Sequence, residues 1–134
     1  MDHSPRLSEE WVGYYTYQGK TTKLPMHLTL EFSKGEIHGA GIDNLGQFII
    51  DGFFDERTSH ARWSKRYVGM HTVEYEGTQR ENEIGGSWSL VQTVDGKETK
   101  LSGAFRLWPL PAGLYGEDEP LQSVLEREVR RKAQ

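Results

Sequence analysis

The side chains best equipped for chemistry are four phenols, Tyr15, Tyr17, Tyr67 and Tyr75, two indoles, Trp63 and Trp88, one ammonium, Lys65, and one imidazole, His71. Trp63, Lys65, Tyr67, His71 and Tyr75 recur at spacings of two and four, so on extended strands they share one face. If that face is concave, it forms an aromatic wall with a few polar groups to orient a guest, which is how a small-molecule site is usually built. A lysine there could pair with a carboxylate or a phosphate. The plain alternative is structural. Tyr and Trp are common in ordinary sheets, Lys65 could reach solvent or pair with an Asp or Glu, and His71 could be a satisfied core histidine. A bulge within Ala61–Arg66 would turn Lys65 outward.

Other chemistries find little support. The five histidines, His3, His27, His38, His60 and His71, show neither HxH nor HExxH spacing, and the chain has no cysteine, so no metal or other cofactor is expected. Asp43-Asn44-Leu45-Gly46 lacks the remainder of a calcium loop and reads as a turn. Gly39-Ala40-Gly41 precedes a hairpin where a dinucleotide fingerprint needs a helix, and no GxSxG or phosphate-binding loop occurs. Ser87 and Ser89 fall on the outward phase of their strand, with His71 as the one candidate base near them, so a serine hydrolase finds little support. An enzyme using His71 or Lys65 is a third reading. It requires a shifted pKa beside a carboxylate in a cleft.

The elements that must position these residues are hairpins. From Trp11 to Trp108 the hydrophobic pattern has period two, broken at short intervals by turn signals. Strands are expected at Trp11–Tyr17, Pro25–Phe32, Glu36–Gly41, Gln47–Phe54, His60–Tyr67, His71–Glu76, Glu83–Val91 and Thr99–Leu107. A turn at Lys34-Gly35 pairs Phe32 with Ile37, Leu30 with Gly39 and Leu28 with Gly41. One at Asn44-Leu45 pairs Gly41 with Phe48, Gly39 with Ile50 and Ile37 with Gly52. The type I′ dipeptide Asp95-Gly96 pairs Leu90 with Leu101, Trp88 with Gly103, Gly86 with Phe105 and Ile84 with Leu107. Each register leaves one face apolar. A turn over Val68–Met70 pairs Lys65 with Val73 and Trp63 with Tyr75, and a looser fit sets His71 near Trp88.

Of the 15 glycines, Gly39, Gly41, Gly52, Gly86 and Gly103 fall on the inward face, several opposite Trp, Phe or Ile. A small closed barrel tapers and needs sharply bent strands, and glycine serves both demands, whereas a two-sheet sandwich would use it only to relieve crowding. The expected fold is therefore all-β: an antiparallel eight-stranded up-and-down barrel with a C-terminal α-helix. A flexible N-terminus over 1–10, a barrel over 11–108, a connector over 109–116 and an amphipathic helix over 117–132 are expected, with Ala133–Gln134 as a frayed end. Gly116–Pro120 reads as a helix start, and Leu121, Val124, Leu125 and Val129 form an apolar stripe suited to a barrel end or outer wall.

Twenty acidic against sixteen basic residues give a net charge of -4, with no general attraction for nucleic acid or an anionic membrane. No apolar signal segment opens the chain and no cysteine is present, which points to the cytoplasm.

The Trp11-Val12-Gly13 first strand, eight short strands with tight turns, and Gly86-Ser87-Trp88 resemble the calycin-type barrels: lipocalins, fatty-acid-binding proteins and avidins. The resemblance is architectural and covers about residues 11–108. It departs from the lipocalin pattern, whose Gly-x-Trp lies in the first strand, and from the avidin set of biotin contacts, so it carries over no ligand. The Gly41–Phe48 and Lys65–Gly77 runs are also similar to barrel domains that act as protein-recognition modules. The leading expectation is a non-enzymatic barrel that binds a small molecule or a peptide end in its lumen. The alternative is a protein-interaction module using its outer sheet or C-terminal helix, surfaces through which a homodimer could also form.

Overall fold

The structure, a computed structural model, describes residues 9–110 and 120–133. Eight strands run in order: β1 (Glu9–Tyr17), β2 (Leu24–Ser33), β3 (Glu36–Asp43), β4 (Gly46–Asp55), β5 (His60–Tyr67), β6 (Thr72–Arg80), β7 (Glu83–Val94) and β8 (Lys97–Pro109). Each pairs antiparallel with the next and β8 returns to β1, closing the barrel. The registers expected for β2–β3, β3–β4, β5–β6 and β7–β8 are all present. Lys34-Gly35 and Asp95-Gly96 turn with positive φ at both residues, the type I′ geometry whose twist matches its flanking strands. One register is corrected. Tyr75, rather than His71, stands opposite Trp88 across β6–β7, because β6 pairs with β7 as far as Glu74↔Ser89 and His71 precedes the strand.

The inward glycines bend the sheet. At Gly86 an added Cβ would run into the Glu76 carbonyl oxygen and lie 2.6 Å from Gly77 Cα, both backbone atoms of β6. At Gly52 it would meet the Arg62 carbonyl oxygen on β5. The obstacle in each case is the adjacent strand's main chain, so these positions permit strand curvature more than they relieve crowding among side chains.

The two ends of the lumen differ. Where the 34–35, 56–59 and 81–82 connections lie, Trp11, Phe32 and Phe54 plug the barrel, with ring centroids 6.0 Å apart for Trp11–Phe32 and 5.6 Å for Phe32–Phe54. Behind them pack Leu30, Ile37, Ile84 and Leu107. Around the other end run the connections 18–23, 44–45, 68–71 and 95–96. Here β7 and β8 reach further than their alternation indicates. Their ladder continues from Leu90↔Leu101 to Val94↔Lys97, past Ser89, the last β7 residue paired with β6, and past Gly103, the last β8 residue paired with β1. The hairpin tip therefore stands as a two-stranded ribbon beside the mouth.

The outer wall carries the polar phase. Glu31, His38, Asp51, Ser64 and Glu74 form a row across β2 to β6. His38 is held at both ring nitrogens, by Asp51 at 2.9 Å and Glu36 at 2.8 Å, and first the Asp51 bond, then the Glu36 bond, raise its pKa above the ordinary histidine value. The helix α1 (Leu121–Ala133) packs on the outer wall, with Leu125 and Val129 against Val12 and Trp108. Buried Glu128 accepts from Trp108 Nε1 at 2.9 Å and from Arg131 at 2.8 Å. Leu121 departs from the expected stripe and is 43% exposed. Residues 117–119 of the expected helix start lie outside the described residues, as do 1–8 of the expected flexible terminus and 111–116 of the connector; Glu9 and Glu10 belong to β1. Among the described residues no helix is long and apolar enough to cross a membrane.

Adjacent glycines provide a test of the bending argument. Gly86→Ala should cost about 3 kcal/mol in urea unfolding, while Gly85→Ala, whose Cβ meets only Phe105 O at 3.6 Å, should stay within about 0.5 kcal/mol of wild type. Equal costs would remove the special role of the inward position.

Candidate functional site

The open end of the lumen holds a cavity of about 200 Å³ lined by Tyr15 and Tyr17 of β1, Leu45 of the 44–45 turn, and Tyr67 of β5. His71 and the β6 residues Val73 and Tyr75 complete one side, and Trp88, Leu90, Gln92 and Leu101 from the β7–β8 hairpin the other. Six of the eight residues singled out in the sequence thus converge here. Alternation places them: the inward phase of β1 brings in Tyr15 and Tyr17, that of β5 Tyr67, that of β6 Tyr75 and that of β7 Trp88. The Tyr17 and Trp88 rings meet edge to face at 5.2 Å and 87°, and Tyr15 and Trp88 at 6.2 Å and 87°. Trp88 spends its indole proton on Thr16 O at 3.0 Å, which pins this wall.

Lys65 and Trp63 lie deeper. Trp63 stacks on Tyr75 at 5.5 Å and 11°, against Phe105 at 5.3 Å, and forms part of the packed core. Lys65 points inward, so the strand has no bulge to turn it out, yet it does not line the cavity. It is 1% exposed and its partner is Asp43, whose side chain is 0% exposed. The ammonium donates to Asp43 Oδ2 at 2.5 Å, to Tyr75 Oη at 3.2 Å and toward Met26 Sδ at 3.8 Å, which uses all three of its protons. It also sits 4.4 Å from the Phe48 ring centroid and 5.0 to 5.3 Å from those of Tyr15, Tyr67 and Tyr75.

Asp43 is the residue that motif reading missed. It ends β3 and caps the 44–45 turn by accepting from the Leu45 amide at 2.8 Å, as an Asx turn does, while its second oxygen takes Lys65 and the Tyr67 hydroxyl, the latter at 2.6 Å. A signal was available, since Ile37, Gly39, Gly41 and Asp43 share one phase and β3 and β5 both flank β4. Two opposite charges on inward phases of strands one apart should meet. Next to this floor Tyr15 donates to Asn44 Oδ1 at 2.5 Å.

The electrostatics follow from burial. Burial first, and the Asp43 carboxylate after it, push the Tyr15, Tyr67 and Tyr75 phenols well above the ordinary tyrosine value, so they remain neutral. Burial pushes the Lys65 ammonium down and Asp43 draws it back up. The result is a closed, charge-balanced floor beneath an aromatic concavity. A shift at Lys65 beside a carboxylate is what an enzyme reading asked for, but the pair is enclosed below the cavity instead of facing it.

Comparisons with protein-family models, with curated proteins and with solved structures each gave no match.

Removing one half of a buried ion pair strands the other in a low-dielectric interior, whereas neutralising both is far less costly. Lys65→Met should destabilise the barrel by about 3–5 kcal/mol in denaturant unfolding, and adding Asp43→Asn should recover most of that loss. Additive losses in the double variant would show that the pair is not the interaction holding the floor.

Proposed function

We propose that this chain is a non-enzymatic binding barrel that holds a small molecule in the mouth of its lumen. The observation that carries the reading is the contrast between its ends. The barrel fills one end with Trp11, Phe32 and Phe54, yet leaves about 200 Å³ at the other, walled by aromatic rings and roofed on one side by a projecting hairpin. Small barrels of this strand number either fill with side chains or keep room for one small ligand, and this one does each at a different end. The calycin resemblance points the same way. A charged peptide end suits the cavity less well, because no Asp, Glu, Lys or Arg stands among its lining residues.

The competing reading is a protein-interaction module. Its support lies on the outer face of β3–β4, where Ile42 and Ile49 are exposed and Phe53 is 66% exposed. The helix supplies less, since Val124, Leu125 and Val129 are buried.

Native mass spectrometry of protein purified without added ligand, followed by a thermal-shift screen, separates the two. A co-purifying small molecule, or a dose-dependent rise in Tm, is the expected outcome; at one hundred times Kd the stabilisation should be about 2.7 kcal/mol. A clean apo mass with no shift across carboxylates, phosphates, lipids and heterocycles would contradict the proposal.

A further inference from the structure

From the geometry of the same cavity, and resting on the reading that it is a ligand site, we infer that its ligand is an uncharged, flat heteroaromatic of one or two rings. Four observations lead there. The first is charge: the lining residues include no carboxylate, ammonium or guanidinium, and the buried pair beneath sums to zero. A net charge entering this space would lose its hydration without gaining a counter-ion.

The second concerns each sign separately. Rings at right angles could form a cage for a cation, but Lys65 already occupies the field of Tyr15, Phe48, Tyr67 and Tyr75, with its ammonium 4.4 to 5.3 Å from their centroids. A second cation would find those ring faces already engaged. An anion fares no better at the floor, because the three Lys65 protons are directed to Asp43, Tyr75 and Met26 and Asp43 lies beside them, which leaves the single His71 imidazole at the mouth to face it.

Shape and size are the third. The Tyr17 and Trp88 rings, at 87° to one another, offer both a face and an edge to a flat guest, the two arrangements that aromatic pairs prefer. A dry cavity of roughly 150 Å³ accepts benzene, while drug-sized ligands use about 300 Å³ or more, so about 200 Å³ corresponds to one or two rings and is too small for a long acyl chain.

The fourth is the polarity of the floor and the mouth. Tyr75 accepts from Lys65 and keeps its own proton to donate, and Tyr67, which donates to Asp43, keeps lone pairs to accept. Gln92 and His71 add an amide and an imidazole at the mouth. Ring heteroatoms, more than a bare hydrocarbon, suit such walls.

One ring system in three charge states tests the inference on the wild-type chain. Binding of quinoline, N-methylquinolinium and quinoline-6-carboxylate at pH 7.5 is followed by calorimetry and by Trp fluorescence, with decanoate as an acyl-chain probe. Quinoline should bind saturably and at least tenfold tighter than either charged relative. Leu101→Trp, at a partly buried position of β8 that lines the cavity where the β7–β8 ribbon begins to project, should fill the space and abolish the binding while the circular dichroism spectrum stays unchanged. Equal or tighter binding of the cation or the carboxylate, or binding of decanoate alone, overturns the inference and leaves the cavity a ligand site of another class. Should no probe bind and the purified protein show a clean apo mass, the inference and the binding reading fall together.

Discussion

A sheet of eight strands can close on itself only if the strands bend and their inward side chains fit a tapering interior, and both demands are met here by leaving Cβ atoms out. Gly39, Gly41, Gly52, Gly86 and Gly103 each stand where a Cβ would collide with the neighbouring strand's carbonyl oxygen. Once those positions are empty, the lumen must be filled from the residues between them. Leu28, Leu30, Ile37, Ile50, Ile84 and Leu107 fill the middle and the aromatic plug seals one end. The remaining space lies at the other end, where four tyrosines and Trp88 stand apart around it. Closure of the sheet and location of the cavity are thus two consequences of one steric constraint.

On the proposed reading of the cavity as a ligand site, the Asp43–Lys65 pair beneath it limits what it can accept. Buried ion pairs recover little of their desolvation cost, and apolar replacements of similar volume are often as stable or more so. Retaining one directly beneath a cavity therefore calls for a local reason. Geometrically the pair ties three strands and a turn together: β3 through Asp43, β5 through Lys65 and Tyr67, β6 through Tyr75, and the 44–45 turn through the Leu45 amide. Chemically it supplies polarity without net charge, so that phenols facing the cavity are oriented while the space above them stays neutral.

Much of the barrel was legible because the turn dipeptides and the period-two alternation agree with one another. Lys34-Gly35, Asn44-Leu45 and Asp95-Gly96 each determined a register, and each register placed apolar residues and glycine on the same side, so a one-residue slip would have been visible at once. The strand lengths were less accessible. Gln92–Thr99 is polar and turn-like, and nothing local indicates that β7 and β8 stay paired beyond their neighbours; only the completed ladder does. Six of eight candidate residues share the cavity because side-chain phase is a local property. Depth is not local: Trp63 and Lys65 have the same phase as Tyr67 but sit lower along a tilted strand. Asp43 was read only as a turn former, since its two oxygens perform two tasks, one local and one reaching two strands across. His71 shares the cavity with Trp88 but does not pair with it, because it lies in the connection before β6 and Tyr75 takes the opposite position.

Chemical-shift mapping is the most direct test of the claim that this barrel keeps a ligand-sized space above a neutral floor. In a methyl-labelled NMR titration with quinoline, the account predicts shifts at Val73, Leu90 and Leu101, which line the cavity, with Ile42, Ile49 and Val91 on the outer face unmoved. Shifts confined to Ile42 and Ile49, with the cavity methyls silent, would contradict it and place recognition on the outer wall of β3–β4.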